Sequence, residues 1–357
     1  MAKHDIVVIG ASAGGVEAIS GVVAELPQSL RAAVLVVLHV SKGRSVLPEI
    51  LTRAGRLPAV HPFDGQPLHY GRIYVAPPDR HMTIEGDAIR VVHGPTENGV
   101  RPAVDPLFRS AARTFGSRVI GVVLTGSLDD GTAGLAAVKD AGGIAIVQDP
   151  REAFAPSMPR SAMEAVAVDH VLPLAEIPIL IGTLAREAAP AGRAQMSPHL
   201  EPMEPDLSQE VIALEPEDRP GRVSVFSCPE CHGSLWEADE AGILRFRCRV
   251  GHVYSSESML AAQTDSVDRA LWAALRALEE RAALTRKLAY RARARKHGWV
   301  SQAFEQRAVE AEAHAATVKQ MLQERSEGHV VPDQAAGDPE RGEPVDAVVA
   351  ADGPRGE

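Results

Sequence analysis

Cysteine is scarce in this chain, three residues in 357, and aromatic side chains make up only 4%. So few cysteines, and an odd number of them, rule out a disulfide framework. No apolar run approaches the roughly 18 residues of a membrane span, so direct membrane insertion is not expected. No basic stretch followed by an apolar one precedes the first strand-like segment, which removes the expectation of a secretory leader. The sequence also lacks an excess of positive charge: its formal charge of −10 argues against nucleic acid as the partner. A cytoplasmic protein is expected, and a hydrophobic content of 45% is enough for a sizeable core.

Up to about residue 185, strand and helix signals alternate. Asp5–Ile9, Arg31–Leu38, Val119–Leu124 and Gly143–Val147 are short apolar runs rich in β-branched residues, and a helical pattern covers Thr132 to Ala141. This is the pattern of a doubly wound, mostly parallel sheet with helices on both faces, a three-layer α/β fold. The first run enters Gly10-Ala-Ser-Ala-Gly14, a G-x-S-x-G sequence with Gly15 following. Small residues around a serine let the backbone turn sharply from strand to helix and leave the hydroxyl exposed at the sheet edge. The same pattern also suits a phosphate-binding turn or a simple helix cap. The second run ends at His39 and the third leads into Thr125-Gly-Ser-Leu-Asp-Asp-Gly131. Ligands of open α/β sheets bind outside the carboxyl ends of the strands. Ser12, His39 and one of Asp129 or Asp130 can therefore meet there as nucleophile, base and orienting carboxylate.

Ile9-Gly-Ala-Ser-Ala-Gly-Gly15, Leu38-His39 and Leu124-Thr-Gly-Ser-Leu-Asp-Asp-Gly131 together resemble the CheB-type chemotaxis protein-glutamate methylesterases. Tyr74–Met82, Arg101–Phe108 and Ser157–Arg160 extend the resemblance over most of residues 1 to 190. It implies Ser12 as nucleophile, His39 as base and Asp130, the aspartate directly before Gly131, as the carboxylate. The chain order Ser, His, Asp differs from that of α/β-hydrolases. The sequence departs from the family at Ser127, where a methionine is usual. The resemblance further implies hydrolysis of glutamate γ-methyl esters, and deamidation of glutamines, on methyl-accepting chemotaxis receptors or related signalling proteins, with no catalytic cofactor. Backbone N–H groups of the Ser12 elbow and helix start are the expected oxyanion donors, and Arg101 is a candidate for shaping the mouth of the site. A catalytically silent receptor-binding scaffold is the alternative. A nucleotide-binding protein is disfavoured, because the turn lacks the remaining glycine of G-x-G-x-x-G and no P-loop lysine follows.

Residues 191–222 carry prolines that interrupt any helix and read as a linker after a catalytic domain spanning 1–190. Residues 223–256 then hold Cys228-Pro-Glu-Cys231 and Cys248-Arg-Val-Gly-His252, two knuckles spaced for a zinc-ribbon-like unit. Cys228, Cys231, Cys248 and His252 complete a tetrahedron and imply structural zinc. His232 is a competing fourth ligand, with an awkward place beside Cys231. Over 257–325, Val267, Leu271, Leu275 and Leu278, then Phe304, Ala308, Ala311, Ala315, Val318 and Leu322, recur at helical spacing around a break at Lys296–Trp299. They imply a helical hairpin with a narrow, Ala-rich seam. The tail, 326–357, has no apolar period and reads as disordered. CheB-type enzymes commonly carry a phosphorylated receiver domain before the catalytic one. Here the first strand begins at Asp5, so control by phosphorylation within the chain is not expected. The appended module is left to hold a partner or to cover the site, and it reads as a tether that docks in preference to an inhibitory lid.

Overall fold

Strands buried on both faces of a parallel sheet read as unbroken apolar runs. The computed structural model, which describes residues 2–40, 42–190, 221–240 and 242–328, puts those runs at the centre of a seven-stranded sheet. The element order begins β1 (Ile6–Ala11), α1 (Gly15–Glu25), β2 (Ala33–Leu38), α2 (Leu47–Ala54), β3 (Ala59–Val60), β4 (Gln66–Pro67), β5 (Arg72–Val75), β6 (His81–Glu85) and β7 (Ala88–Val92). It continues with α3 (Val104–Phe115), β8 (Val119–Val123), α4 (Thr132–Asp140), β9 (Ile144–Gln148), α5 (Ser157–Ala165), β10 (His170–Leu172) and α6 (Ile177–Leu184). The large sheet has the order β10-β9-β8-β1-β2-β5-β3, and every pairing in it is parallel.

Alternation along β1 sends Val7 and Ile9 to one core and Ile6 and Val8 to the other, as the two-residue period of a strand requires. On the first face Ile19 and Val22 of α1, Leu51 of α2 and Ile181 of α6 close the layer. On the second face Leu107 and Phe108 of α3, Leu135 of α4 and Met158 of α5 do so. The expected three-layer α/β fold is what forms. A small antiparallel sheet, β4-β7-β6, packs against the second layer and has no counterpart in the sequence reading. Chain order reverses at β1, with β2 on one side and β8 on the other. That is the switch point where a crevice opens beyond the strand ends.

The C-terminal strands β11 (Arg222–Ser227), β12 (Ser234–Glu240), β13 (Ile243–Cys248) and β14 (Val253–Ser255) form an antiparallel sheet in sequence order. Two long helices follow, α7 (Ser256–Ala294) and α8 (Gly298–Gly328). Residues Met1–Arg269 make one compact unit and a second begins at Ala270. The four-stranded sheet therefore packs on the α/β layers instead of standing apart. The reason is a set of buried polar links: Val253 and Asn98 bond through their backbones at 2.7 Å, and Arg245, buried to 2% exposure, pairs with Glu97 and Asp105. In the second unit Leu275, Ala315 and Leu322 share an apolar seam with Leu271, Leu278 and Val318, while Trp272 stays exposed. Arg286 pairs with Glu312 across the two helices at 2.6 Å. The expected linker, except Gly221 and Arg222, the latter already opening β11, and the expected tail beyond residue 328 lie outside the described residues.

Candidate active site

Three loops at the carboxyl ends of β1, β2 and β8 bring Ser12, His39 and Asp130 into one line. Ser12 Oγ lies 3.1 Å from His39 Nδ1, and His39 Nε2 lies 2.7 Å from Asp130 Oδ2. A neutral imidazole has one donor and one acceptor nitrogen. With Asp130 accepting from Nε2–H, Nδ1 is left bare to accept the serine proton. Asp129, the neighbour, points elsewhere and accepts from the Ser255 hydroxyl at 2.6 Å.

The elbow owes its shape to two glycines. Gly14 sits at φ +72° at the head of α1, a conformation that side chains resist. Gly126 lies so close that a Cβ there would run into the Met158 sulfur and come within 2.9 Å of Ser12 Cβ. Thr125 ties the turn down: its carbonyl accepts from Ser12 N–H at 2.9 Å and its hydroxyl donates to Ala13 O at 2.9 Å. The Ser12 amide is thus engaged. The amides of Ala13 and Gly14, which follow the serine directly at the head of α1, have no backbone acceptor among the described residues.

Asp130 is held from all sides. Its Oδ2 also accepts from Val104 N–H at 2.7 Å, and its Oδ1 accepts from Gly131 N–H at 3.0 Å and Asn98 Nδ2 at 2.9 Å. Burial opposes its charge, yet the hydrogen bonds from His39 and Val104 hold its carboxyl below the ordinary aspartate value. Asp105 returns the favour to α4, accepting from Gly131 N–H at 3.0 Å and Gly134 N–H at 2.7 Å. Each aspartate so satisfies the orphan amides that open the other's neighbouring helix. Arg101, expected near the mouth, is committed to Asp79, with Nη2 2.7 Å from Oδ1. Neither Asn98 nor Arg245 stands out in the sequence, where their polar types in a loop and a strand look like surface residues. Nor did it single out Phe154, which is 82% exposed beside the elbow; a Cβ at Gly14 would come 2.7 Å from its own Cβ.

A second cluster lies in the C-terminal sheet. Cys228, Cys231, Cys248 and His252 present ligand atoms all within 4.8 Å of one another. Cys231 Sγ and Cys248 Sγ are 3.6 Å apart, and His252 Nδ1 is 3.5 Å from the sulfurs of Cys228 and Cys248. Zinc–sulfur bonds of about 2.3 Å in a tetrahedron demand sulfur–sulfur spacings near 3.8 Å, so the donor set fits. Burial and the neighbouring Cys228 push the Cys248 thiol up to about 12, which a cation among the sulfurs would reverse. His232 is exposed and outside the cluster. Glu230 lies 3.4 Å from His252 Nε2, placed to orient the ring.

Residues 7–181 match the CheB methylesterase family. A protein-glutamate methylesterase/protein-glutamine glutaminase 2 of Anaeromyxobacter dehalogenans is 41% identical over 186 residues, covering 52% of this chain and 54% of that protein. A relative from Leptospira interrogans is 36% identical over 177 residues, covering 49% of this chain and 92% of its own length. A Pyrococcus abyssi protein-glutamate methylesterase/protein-glutamine glutaminase is 38% identical over 178 residues and is covered to 48%. The chain therefore spans about half the length of the first and last of these. The solved catalytic domain of Thermotoga maritima CheB methylesterase is 33% identical, with a TM-score of 0.49, covering 52% of this chain and 99% of that one.

Proposed function

Since the chain belongs to the CheB methylesterase family, we propose that residues 1–190 hydrolyse glutamate γ-methyl esters on methyl-accepting chemotaxis receptors or related signalling proteins, and deamidate glutamines by the same route. The observation that carries this reading is the unbroken Ser12–His39–Asp130 chain of hydrogen bonds at the sheet's switch point. Ser12 Oγ attacks the ester carbonyl while His39 Nδ1 takes its proton; Nε2–H keeps donating to the Asp130 carboxylate, whose charge balances the imidazolium. The carbonyl oxygen, now anionic, is met by the Ala13 and Gly14 amides at the α1 N-terminus. As the tetrahedral adduct collapses, the bond to the methoxy oxygen breaks and His39 gives its proton to that oxygen, which leaves as methanol. A water, deprotonated by the same nitrogen, then attacks the acyl-serine. The second collapse frees glutamate and returns the proton to Ser12. An amide follows the same steps with ammonia leaving.

Cys228, Cys231, Cys248 and His252 hold a structural zinc in this reading, supported by their spacing and by Glu230 behind His252. Four protein ligands fill its coordination, so it orders residues 223–256 and takes no part in the ester chemistry. Reduced cysteines gathered round a metal also suit the cytoplasm. No described helix is long and apolar enough to cross a membrane. The test is direct: methanol release from receptor methylated on glutamate, with Ser12→Ala as control. Release that persists in the Ser12→Ala protein sinks the acyl-enzyme route, and an intact protein that releases none sinks the substrate class.

A further inference from the structure

Behind the serine–histidine–aspartate chain lies a buried group of charges closed by one residue from the C-terminal sheet. Arg245, on β13, donates through Nη1 to Asp105 Oδ2 at 3.0 Å and through Nη2 to Glu97. Asp105 is fully buried, and its four acceptor positions are all occupied by donors. Gly131 N–H and Gly134 N–H take Oδ1, while Asn98 Nδ2, at 3.2 Å, and Arg245 take Oδ2. A carboxylic acid at this place would set an O–H against one of those donors, so the geometry requires the carboxylate. Asn98 is the link outward. Its amide nitrogen reaches both Asp105 and Asp130, and its carbonyl oxygen accepts from Ser255 N–H at 3.1 Å and the Ser258 hydroxyl at 3.2 Å. Those two donors belong to β14 and the first turn of α7. They fix which end of the Asn98 side chain faces Asp130, because a flipped amide would set donor against donor at the serines and acceptor against acceptor at the two aspartates.

We propose that Arg245 is a positioning residue for the triad, acting through Asp105 and Asn98 on Asp130, so that the metal-knuckle sheet completes the hydrolytic site instead of merely tethering it. This rests on the hydrolase reading above. The charged groups facing Asp105 are Arg109 from its own helix, Glu97 from the preceding loop, Asp130 from the loop before α4 and Arg245 from β13. His81 and Arg247 lie against the same group through Glu97, and Asp129 lies beyond Asp130. Take Arg245 away and Asp105 is left with Arg109 as its one guanidinium, among the carboxylates of Glu97 and Asp130. Burial pushes Asp105 up, and Arg245 is the foremost group pulling it back down. Loss of that guanidinium raises it further and protonates it near neutral pH. The protonated acid repels the Asn98 amide and loosens the hold on Asp130.

The test uses the full chain and the phosphonylation of Ser12 by a fluorophosphonate, read by mass spectrometry as rate against probe concentration and pH. This reports nucleophile activation whatever the natural substrate is. Arg245→Met should lower the limiting rate at pH 7 at least about tenfold with the half-saturating probe concentration little changed, and move the acid limb up by about one pH unit or more. Arg245→Lys keeps the charge and should stay close to the parent. If Arg245→Met does not fold, Asn98→Gly, which suits the positive φ at that position, should lower the limiting rate in the same manner. A folded Arg245→Met with the parent's rate and acid limb overturns the proposal, as does an equal loss at every pH. An intact protein that is never labelled at Ser12 overturns instead the acyl-enzyme reading on which the proposal stands.

Discussion

His39 presents Nε2, not Nδ1, to Asp130, at 2.7 Å, which leaves Nδ1 as the nitrogen facing Ser12. The ring cannot be turned over without setting a carbon at both contacts, so the assignment of roles to the two nitrogens is fixed by geometry. Removing nucleophile or base from a hydrolytic triad costs on the order of 10⁶ in kcat, and spoiling the carboxylate about 10⁴. Ser12→Ala and His39→Ala should therefore abolish methanol release and Asp130→Asn should nearly do so. Asp129→Asn, which touches Ser255 and not His39, should retain most activity. Steady-state rates on a methylated receptor decide it, and an Asp129 variant weaker than the Asp130 one would reassign the carboxylate.

Metal removal should separate the two halves of the compact unit. The protein purified without chelator is expected to carry about one zinc per chain, and Cys228→Ser none, by elemental analysis. Model zinc sites contribute roughly 10–16 kcal/mol to the folding of their own domains. Chelation should accordingly expose the amides of 222–255 to hydrogen exchange while β1, β2 and β8 stay protected. Protection of 222–255 that is unchanged after the metal is stripped would rule out a structural role for it.

Phe154 stands 82% exposed next to the serine elbow, an apolar side chain that a receptor helix would meet under the function proposed above. Covering such a ring is worth about 1–3 kcal/mol. Phe154→Ala should raise KM for receptor roughly tenfold and leave turnover of a small ester unchanged. Equal effects on both substrates would show that the ring supports the elbow instead.

Asp79 is held down to about 2 by its hydrogen bonds from Arg101. A carboxylate whose folded value lies below its unfolded one stabilises the fold above the unfolded value and loses that contribution as pH falls through the folded one. Asp79→Asn tolerates the φ of 57° at this site. It should lower the urea midpoint at pH 6, and the deficit should shrink between about pH 4 and pH 2. A deficit that is constant over that range would mean the loss is not electrostatic.

The core strands were legible because burial on both faces of a parallel sheet writes itself as unbroken runs, such as Val119–Val123. The helical hairpin was legible by its period, down to Leu275, Ala315 and Leu322 in its seam. The small sheet β4-β7-β6 was not, since Gln66–Pro67 is too short to carry any pattern. Ser12 and His39 stood at the ends of strong strands. Between Asp129 and Asp130, spacing alone could not choose; family resemblance did, and the geometry brings Asp130 to His39. Arg245 was hidden for a physical reason. It alternates with Leu244, which is 42% exposed, so the strand reads as if its polar positions faced water, when its arginine fills a buried acidic niche 140 residues away from Asp105 in sequence.

The central position of β1 also sets the order in which a growing chain becomes chemically competent. Ser12 and His39 follow adjacent strands, β1 and β2, both made early in the chain. Asp130 arrives only after β8 has closed on the opposite side of β1 and α3 has offered Val104 N–H. The Asn98 side chain receives its fixed orientation last of all, from Ser255 and Ser258. A nascent chain halted before residue 130 holds Ser12 and His39 without the carboxylate that aligns the ring, and the hydrolysis proposed above needs all three.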